Sequence, residues 1–229
     1  EIVGVKCEKM IKYYGDECFI TRFGKKIAVG DRYFLDYGNK KVRDNMTETI
    51  RRMVEDYGAD YIKFDYNQDL GVGTDKNAFV FGEGLEECSK AFREWVEEIT
   101  ARFNGVIFEC CASGGMRLDY CYLSKFSLVS TSDQTDYKIY PYISANIASA
   151  VLPEQAAVWS YPVDGENVEK EQVVMNMINS FSGRMHLASD LSKLSDENFS
   201  LVKEGVKYYK KLSAIKSRAY PFMPLGFSK

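Results

Sequence analysis

Apolar residues recur along this chain in two rhythms, one of helices and one of short strands. From Asn39 to Tyr57 the positions Val42, Met46, Ile50, Met53, Val54 and Tyr57 follow helical spacing. Asn39 is placed to cap that helix, and Gly58 to end it in the left-handed conformation. The next run, Tyr61-Ile62-Lys63-Phe64-Asp65, is β-prone and holds neither Gly nor Pro, which predicts a strand with Asp65 at its C-terminal end. The same succession returns four more times. Strands are predicted over Val106–Cys110, Phe126–Ser130, Ala156–Trp159 and Met185–Ser189. Helical faces run through Leu85, Cys88, Phe92, Trp95, Val96 and Ile99, then Ile139 to Val151, then Val173 to Phe181. A last helix, capped by Ser195, turns Phe199, Val202, Val206, Tyr209 and Leu212 inward.

The first part of the chain carries a weaker pattern. It suggests a short helix over Glu8–Tyr14, strands at Cys18–Thr21 and Lys26–Val29 about a turn at Gly24, and a further strand over Arg32–Asp36. No domain boundary shows in composition. Five βα units predict an α/β fold, either part of a (β/α)8 barrel or an open sheet covered on both faces. In both architectures ligands collect at the carboxyl ends of the strands. The long polar segment Gln68–Gly84, following Asp65, is the kind of loop that forms a binding site.

Composition narrows the classes. The 229 residues are 45% hydrophobic and 14% aromatic, enough for a sizeable core and an aromatic-lined cleft. A net charge of -3 with no basic block argues against a nucleic-acid partner. No apolar stretch approaches membrane-spanning length, so no membrane partner is expected. Six cysteines in no zinc-like spacing and a single histidine, His186, argue against a metal site. Scattered thiols suit a reducing compartment, and a cytoplasmic location is expected.

Candidate chemistry lies at the strand ends: Asp65 and Asn67, Glu109 and Arg117, Asp133 and Asp136. Two carboxylates from different strands are what glycoside hydrolysis needs, one as nucleophile and one as proton donor, about 5 Å apart when configuration is retained. Lys63 points to the same side of its strand as Asp65 and favours its ionised form. Structural readings stand beside these. Cys111 also fits as a buried thiol, Asp136 as a helix cap, His186 as a structural histidine, and Trp159 and Tyr161 as packing residues or as sugar-stacking rings.

Three ordered segments carry a resemblance. Tyr61-Ile62-Lys63-Phe64-Asp65-Tyr66-Asn67, Phe108-Glu109-Cys110-Cys111-Ala112-Ser113-Gly114-Gly115-Met116-Arg117-Leu118-Asp119 and Thr131-Ser132-Asp133-Gln134-Thr135-Asp136 are similar to the signature motifs of glycoside hydrolase family 36, the α-galactosidases and relatives. Tyr33-Phe34-Leu35-Asp36 resembles the segment that leads into that family's nucleophile strand. The resemblance implies a retaining, exo-acting α-glycosidase that cleaves terminal α-galactosyl residues, with Asp65 as nucleophile and Asp133 as acid/base. Lys63, Asn67, Cys111, Gly114, Arg117, Asp136 and Trp159 would belong to the sugar pocket. Neither a metal nor an organic cofactor is required.

The family motif more often has Trp, Met and Arg where this chain has Phe64, Tyr66 and Gln68, a departure that bears on the preferred sugar or aglycone. The resemblance further implies that residues 1–229 form one partial catalytic domain holding approximately strands 4 to 8 of a TIM (β/α)8 barrel and lacking the first three. Such a piece exposes sheet edges, loses part of the sugar pocket and favours association, so a homo-oligomer is expected, and an isolated chain that is inactive even with every catalytic residue intact. The rivals are a related enzyme such as an α-N-acetylgalactosaminidase, a non-catalytic carbohydrate-binding homologue, and a lyase or aldolase using Lys63.

Overall fold

The computed structural model describes residues 2–165 and 168–227. The chain folds as two compact units, Glu1–Phe108 with Ser124–Phe126, and Glu109–Leu123 with Ser127–Lys229.

The first unit begins with β1 (Ile2–Gly4), α1 (Glu8–Tyr14), β2 (Thr21–Arg22), β3 (Lys25–Lys26), β4 (Ala28–Val29) and β5 (Arg32–Phe34). Strand β5 pairs antiparallel with β1 on one side and β4 on the other, and β2 and β3 form a separate hairpin. Here the expectation is corrected. Cys18 lies in a 3-10 turn, Phe19 forms only an isolated bridge with Leu35, and the predicted strand at residues 26–29 breaks into two. Phe23 and Gly24 both take positive φ, of 52° and 72°, which closes the tight β2–β3 hairpin.

Helix α2 (Lys40–Arg51) starts at Asn39, whose side chain accepts a hydrogen bond from the Lys41 N–H at 2.9 Å. It ends through a π turn before Gly58, φ 72°. Strand β6 (Tyr61–Asp65) and helix α3 (Phe81–Arg102) follow, at the predicted places. They are held together by aromatic packing. Phe64, on the buried face of β6, meets Trp95 at 5.8 Å, Phe108 at 6.0 Å and Phe126 at 5.8 Å between ring centroids. Tyr37 adds an edge contact to Phe92 and a tilted one to Trp95, and the Trp95 Nε1–H donates to Thr47 Oγ1 at 2.9 Å, which ties α3 to α2. Each such ring pair is worth roughly 0.5–1.5 kcal/mol beyond the area it buries. The strand carrying Asp65 therefore rests on a stiff aromatic bed.

Strand β7 (Ile107–Cys111) begins in the first unit, where the Ile107 N–H donates to the Asp60 carbonyl, and continues into the second. The second unit then contains α4 (Tyr120–Leu123), β8 (Leu128–Ser130), α5 (Tyr140–Asn146), β9 (Ala156–Ser160), α6 (Lys170–Asn179), β10 (Arg184–Leu187) and α7 (Asp196–Lys216). Strands β7 to β10 pair in chain order and in parallel, with Cys110 opposite Val129, Ser130 opposite Ala157, and His186 opposite Trp159. Leu128, Val129, Ala156, Ala157 and Val158 are buried, as strands covered on both faces require. Helices α6 and α7 cross closely over Val173, Met177 and Val202, because a Cβ on Gly205 would lie 2.9 Å from the Met177 Cβ. The alternation of parallel strands and helices is that of a partial (β/α)8-like barrel, and among the described residues no closed ring of strands forms. Among the same residues no helix is long and apolar enough to cross a membrane.

Candidate active site

In the first unit, Tyr61, Lys63 and Asp65 occupy the exposed face of β6 while Phe64 is buried on the other. The strand's period of two thus puts the ammonium and the carboxylate on one side. Asn67 follows with φ 53°, a left-handed conformation that Asn tolerates better than most residues. The chain then crosses residues 68–80, held from outside the loop. The Arg22 guanidinium donates to the Leu70 carbonyl at 3.1 Å and to the Gly73 carbonyl at 2.7 and 3.1 Å. Thr74 Oγ1 donates to the Thr21 carbonyl. Lys76 donates to the Phe19 carbonyl at 3.0 Å and pairs with the buried Asp36 carboxylate at 2.9 Å. Asp36, the acid of the Tyr33–Asp36 motif, thereby serves the loop that follows Asp65.

In the second unit, Glu109 lies inside β7, fully buried, and accepts a hydrogen bond from Ser130 Oγ on β8. Cys111 ends the strand and is buried. Beyond it Ser113 and Gly114 take φ of 45° and 78°, and Gly114 forms an antiparallel bridge to Ser132. A Cβ at Gly114 would stand 2.5 Å from the Ser132 Cα and 2.9 Å from the Asp133 nitrogen, so only glycine fits there. Gly114 therefore adjoins the backbone that carries Asp133. Arg117 is half-buried with its guanidinium 4.9 Å from the centre of the Tyr122 ring.

Asp133 is exposed on the segment between β8 and α5, and local bonds shape that segment step by step. Ser132 Oγ accepts from the Gln134 N–H at 3.1 Å, Gln134 Oε1 from the Asp136 N–H at 2.9 Å, and Asp136 Oδ1 from the Lys138 N–H at 2.8 Å. The Asp136 carbonyl then receives the Ile139 and Tyr140 N–H groups. The side chain of Asp136 is thus engaged in a local turn ahead of α5, whose own N-cap, Ile139, has no side-chain cap.

Aromatic residues meet where this segment joins α5 and β9. Trp159 meets His186 edge-on, with centroids 4.7 Å apart. Tyr140 is buried, and its hydroxyl receives the Trp159 N–H at 3.0 Å. Burial holds the Tyr140 and Tyr161 phenols above their ordinary pKa, and the charge of Asp133 pushes both the same way. Tyr140 was not among the residues the sequence singled out, since an aromatic at a helix start before Pro141 reads as ordinary packing.

Comparison with known proteins gives a consistent result. The family model described as Melibiase matches residues 5–217. The chain is 25% identical over 190 residues to the α-galactosidase Mel36A of Lactobacillus acidophilus, a match covering 81% of this chain and 26% of that protein. The galactosidase domain of the α-galactosidase-sucrose kinase AgaSK superposes with a TM-score of 0.81 at 19% identity, over 97% of this chain and 31% of that one. The GH36 α-galactosidase AgaA of Geobacillus stearothermophilus gives 0.80 at 22% identity, over 97% and 31%. The chain spans about a quarter of the length of the curated relatives it matches.

Proposed function

Since the chain belongs to the melibiase family, the α-galactosidases of glycoside hydrolase family 36, we propose that it carries the two catalytic carboxylates of a retaining, exo-acting α-galactosidase. The observation that carries this reading is the placement of Asp65 and Asp133. Asp65 is an exposed carboxylate ending its strand and Asp133 one that follows β8 by three residues, both inside the segment that the family model matches. Asp65 Oδ attacks the anomeric carbon of a terminal α-galactosyl residue as Asp133 gives its proton to the departing oxygen, and the glycosidic C–O bond breaks. In the second half, Asp133 takes a proton from water, the water oxygen bonds to the anomeric carbon, and the ester to Asp65 is released with configuration retained.

Around this pair Lys63, Asn67, Cys111, Gly114, Arg117, Asp136 and Trp159 contribute to the walls of the sugar pocket. AgaA structures in complex with raffinose, with stachyose and with 1-deoxygalactonojirimycin support an α-galactosyl oligosaccharide as the substrate class.

The test is release of p-nitrophenol from its α-galactoside by this chain and by the full-length gene product, each beside its Asp65→Ala variant. The expected result is activity in the full-length product that falls by more than about 10⁴-fold in Asp65→Ala. Absence of hydrolysis by the wild type across the α-galactoside, the α-N-acetylgalactosaminide and the α-glucoside would overturn the reading.

A further inference from the structure

The segment bearing Asp133 is closed by one side chain at its own far end. Thr131, immediately after β8, and Tyr140, the first residue of α5, are 4% and 2% exposed. Their side-chain oxygens are 3.2 Å apart. Thr131 Oγ1 is committed as a donor to the Ala157 carbonyl at 2.8 Å, so in the pair with Tyr140 it is the acceptor and the phenol is the donor. The phenol oxygen in turn receives the Trp159 N–H at 3.0 Å. One hydroxyl thus joins the end of β8, the start of α5 and the backbone of β9, and residues 132–139 are strung between its two anchor points. Gly114 braces the same stretch from the β7 side through its bridge to Ser132. Neither Thr131 nor Tyr140 has a role in the double displacement set out above, yet both are buried and hydrogen-bonded at the two ends of the segment that carries the proposed proton donor.

We propose that Tyr140 is the positioning residue for the proton donor: its hydroxyl latches the Thr131–Tyr140 segment so that Asp133 is presented in one place. The inference rests on the reading of Asp133 as acid/base. General acid catalysis falls off steeply with displacement, and a shift of about 1 Å costs on the order of 10²-fold. A leaving group that departs readily as an anion does not need the proton, so an error in placing Asp133 spares such a substrate. That difference separates positioning from general destabilisation, which lowers all substrates together.

The experiment measures kcat/KM of the full-length gene product on raffinose, whose leaving group needs a proton, and on 2,4-dinitrophenyl α-galactoside, whose leaving group does not. Tyr140→Phe, which removes one oxygen and keeps the ring, is expected to lose about 10–100-fold on raffinose and less than about threefold on the dinitrophenyl substrate. Thr131→Val, which deletes the acceptor, is expected to repeat that split, and Thr131→Ser, which keeps it, to restore activity on raffinose. Asp133→Ala is measured alongside. Should Asp133→Ala itself lose both substrates equally, the acid/base reading fails. Should Asp133→Ala show the split while Tyr140→Phe loses both equally or neither, the positioning role is overturned and the acid/base reading stands.

Discussion

The two loops that carry the candidate carboxylates are built on opposite plans. The chain after Asp65 is long, rich in Gly, Asn and Asp, and is gripped by residues far away in sequence: Arg22 on its carbonyls, Thr21 beneath Thr74, and Asp36 against Lys76. The chain around Asp133 is short and holds itself, through steps from each side chain to the backbone two residues on and through the Tyr140 to Thr131 latch. A long loop has more conformations to lose and cannot satisfy its own carbonyls, so its order must be supplied by another element. A short loop can be closed by its own ends. The comparison teaches that the two strand ends bearing the candidate carboxylates can be pre-organised by different means, one remote and one local, and that damage to either plan should leave the other standing.

The largest effect is expected from Gly114→Ala. Its Cβ would collide with the Ser132 Cα and the Asp133 nitrogen, and its φ of 78° is unfavourable for alanine. The backbone term alone costs roughly 1–3 kcal/mol. Activity of the full-length product on raffinose should drop about 100-fold, with a lowered melting temperature, while the order of the loop after Asp65 is unchanged. An alanine variant with wild-type kinetics would show that the close approach does not set the position of Asp133.

Arg22→Ala strikes the other plan. It removes every guanidinium bond to the Leu70 and Gly73 carbonyls, a loss of about 1.5–3 kcal/mol for a charged donor. The reporter is Cys88, which lines a cavity of about 410 Å³ together with Lys76 and Asn77 of that loop. Its thiol is pushed up to about 12, chiefly by burial and further by the Asp36 charge, so it stays protonated and unreactive at neutral pH. Alkylation of Cys88 should accelerate in Arg22→Ala while that of the buried Cys111 does not change. Equal acceleration at both thiols, followed by peptide mapping, would mean that the two loops are not independently held.

The smallest effect is one of pH, and its sign differs between the units. Cys88 keeps its proton to about pH 12 in the folded state but loses it near 9 when unfolded, so its contribution to stability is complete below pH 9 and declines as pH rises through that window. Lys216 in the second unit is lowered to about 8 from 10.5, mainly by burial and further by Arg184. Below pH 8 its charge is buried at a cost, and stability recovers between pH 8 and 10.5 as the folded state releases a proton that the unfolded chain retains. Denaturation followed from pH 7 to 11 should therefore show a steeper alkaline fall in Lys216→Met than in the wild type, and a shallower one in Cys88→Ala.

Much of this was legible in the residues themselves. Five strands and their helices appear where periodicity placed them, the caps at Asn39 and Ser195 form as read, and β6 has the predicted bounds. Local chemistry sufficed there, because a cap or an alternating run acts within a few residues. The helix at Glu8–Tyr14 and the strand from Arg32 form as expected, but the strands between Cys18 and Val29 differ, since two-residue strands about a tight turn carry too few side chains to show a period. The motifs marked Asp65, Asp133 and Gly114 as candidates, but a list of candidates is not an arrangement.

What the sequence determined by itself was the order of elements, the exposed face of β6, and the family to which its three motifs belong. Tertiary structure alone decided that Asp36 serves the loop after Asp65, that Gly114 leaves no room for a side chain against Asp133, and that the phenol of Tyr140 closes the loop on Thr131. The physical reason is range. Periodicity and caps are set by neighbours along the chain, whereas a buried ion pair, a backbone approach that leaves no room for a Cβ and a shared hydroxyl exist only once distant segments are packed together.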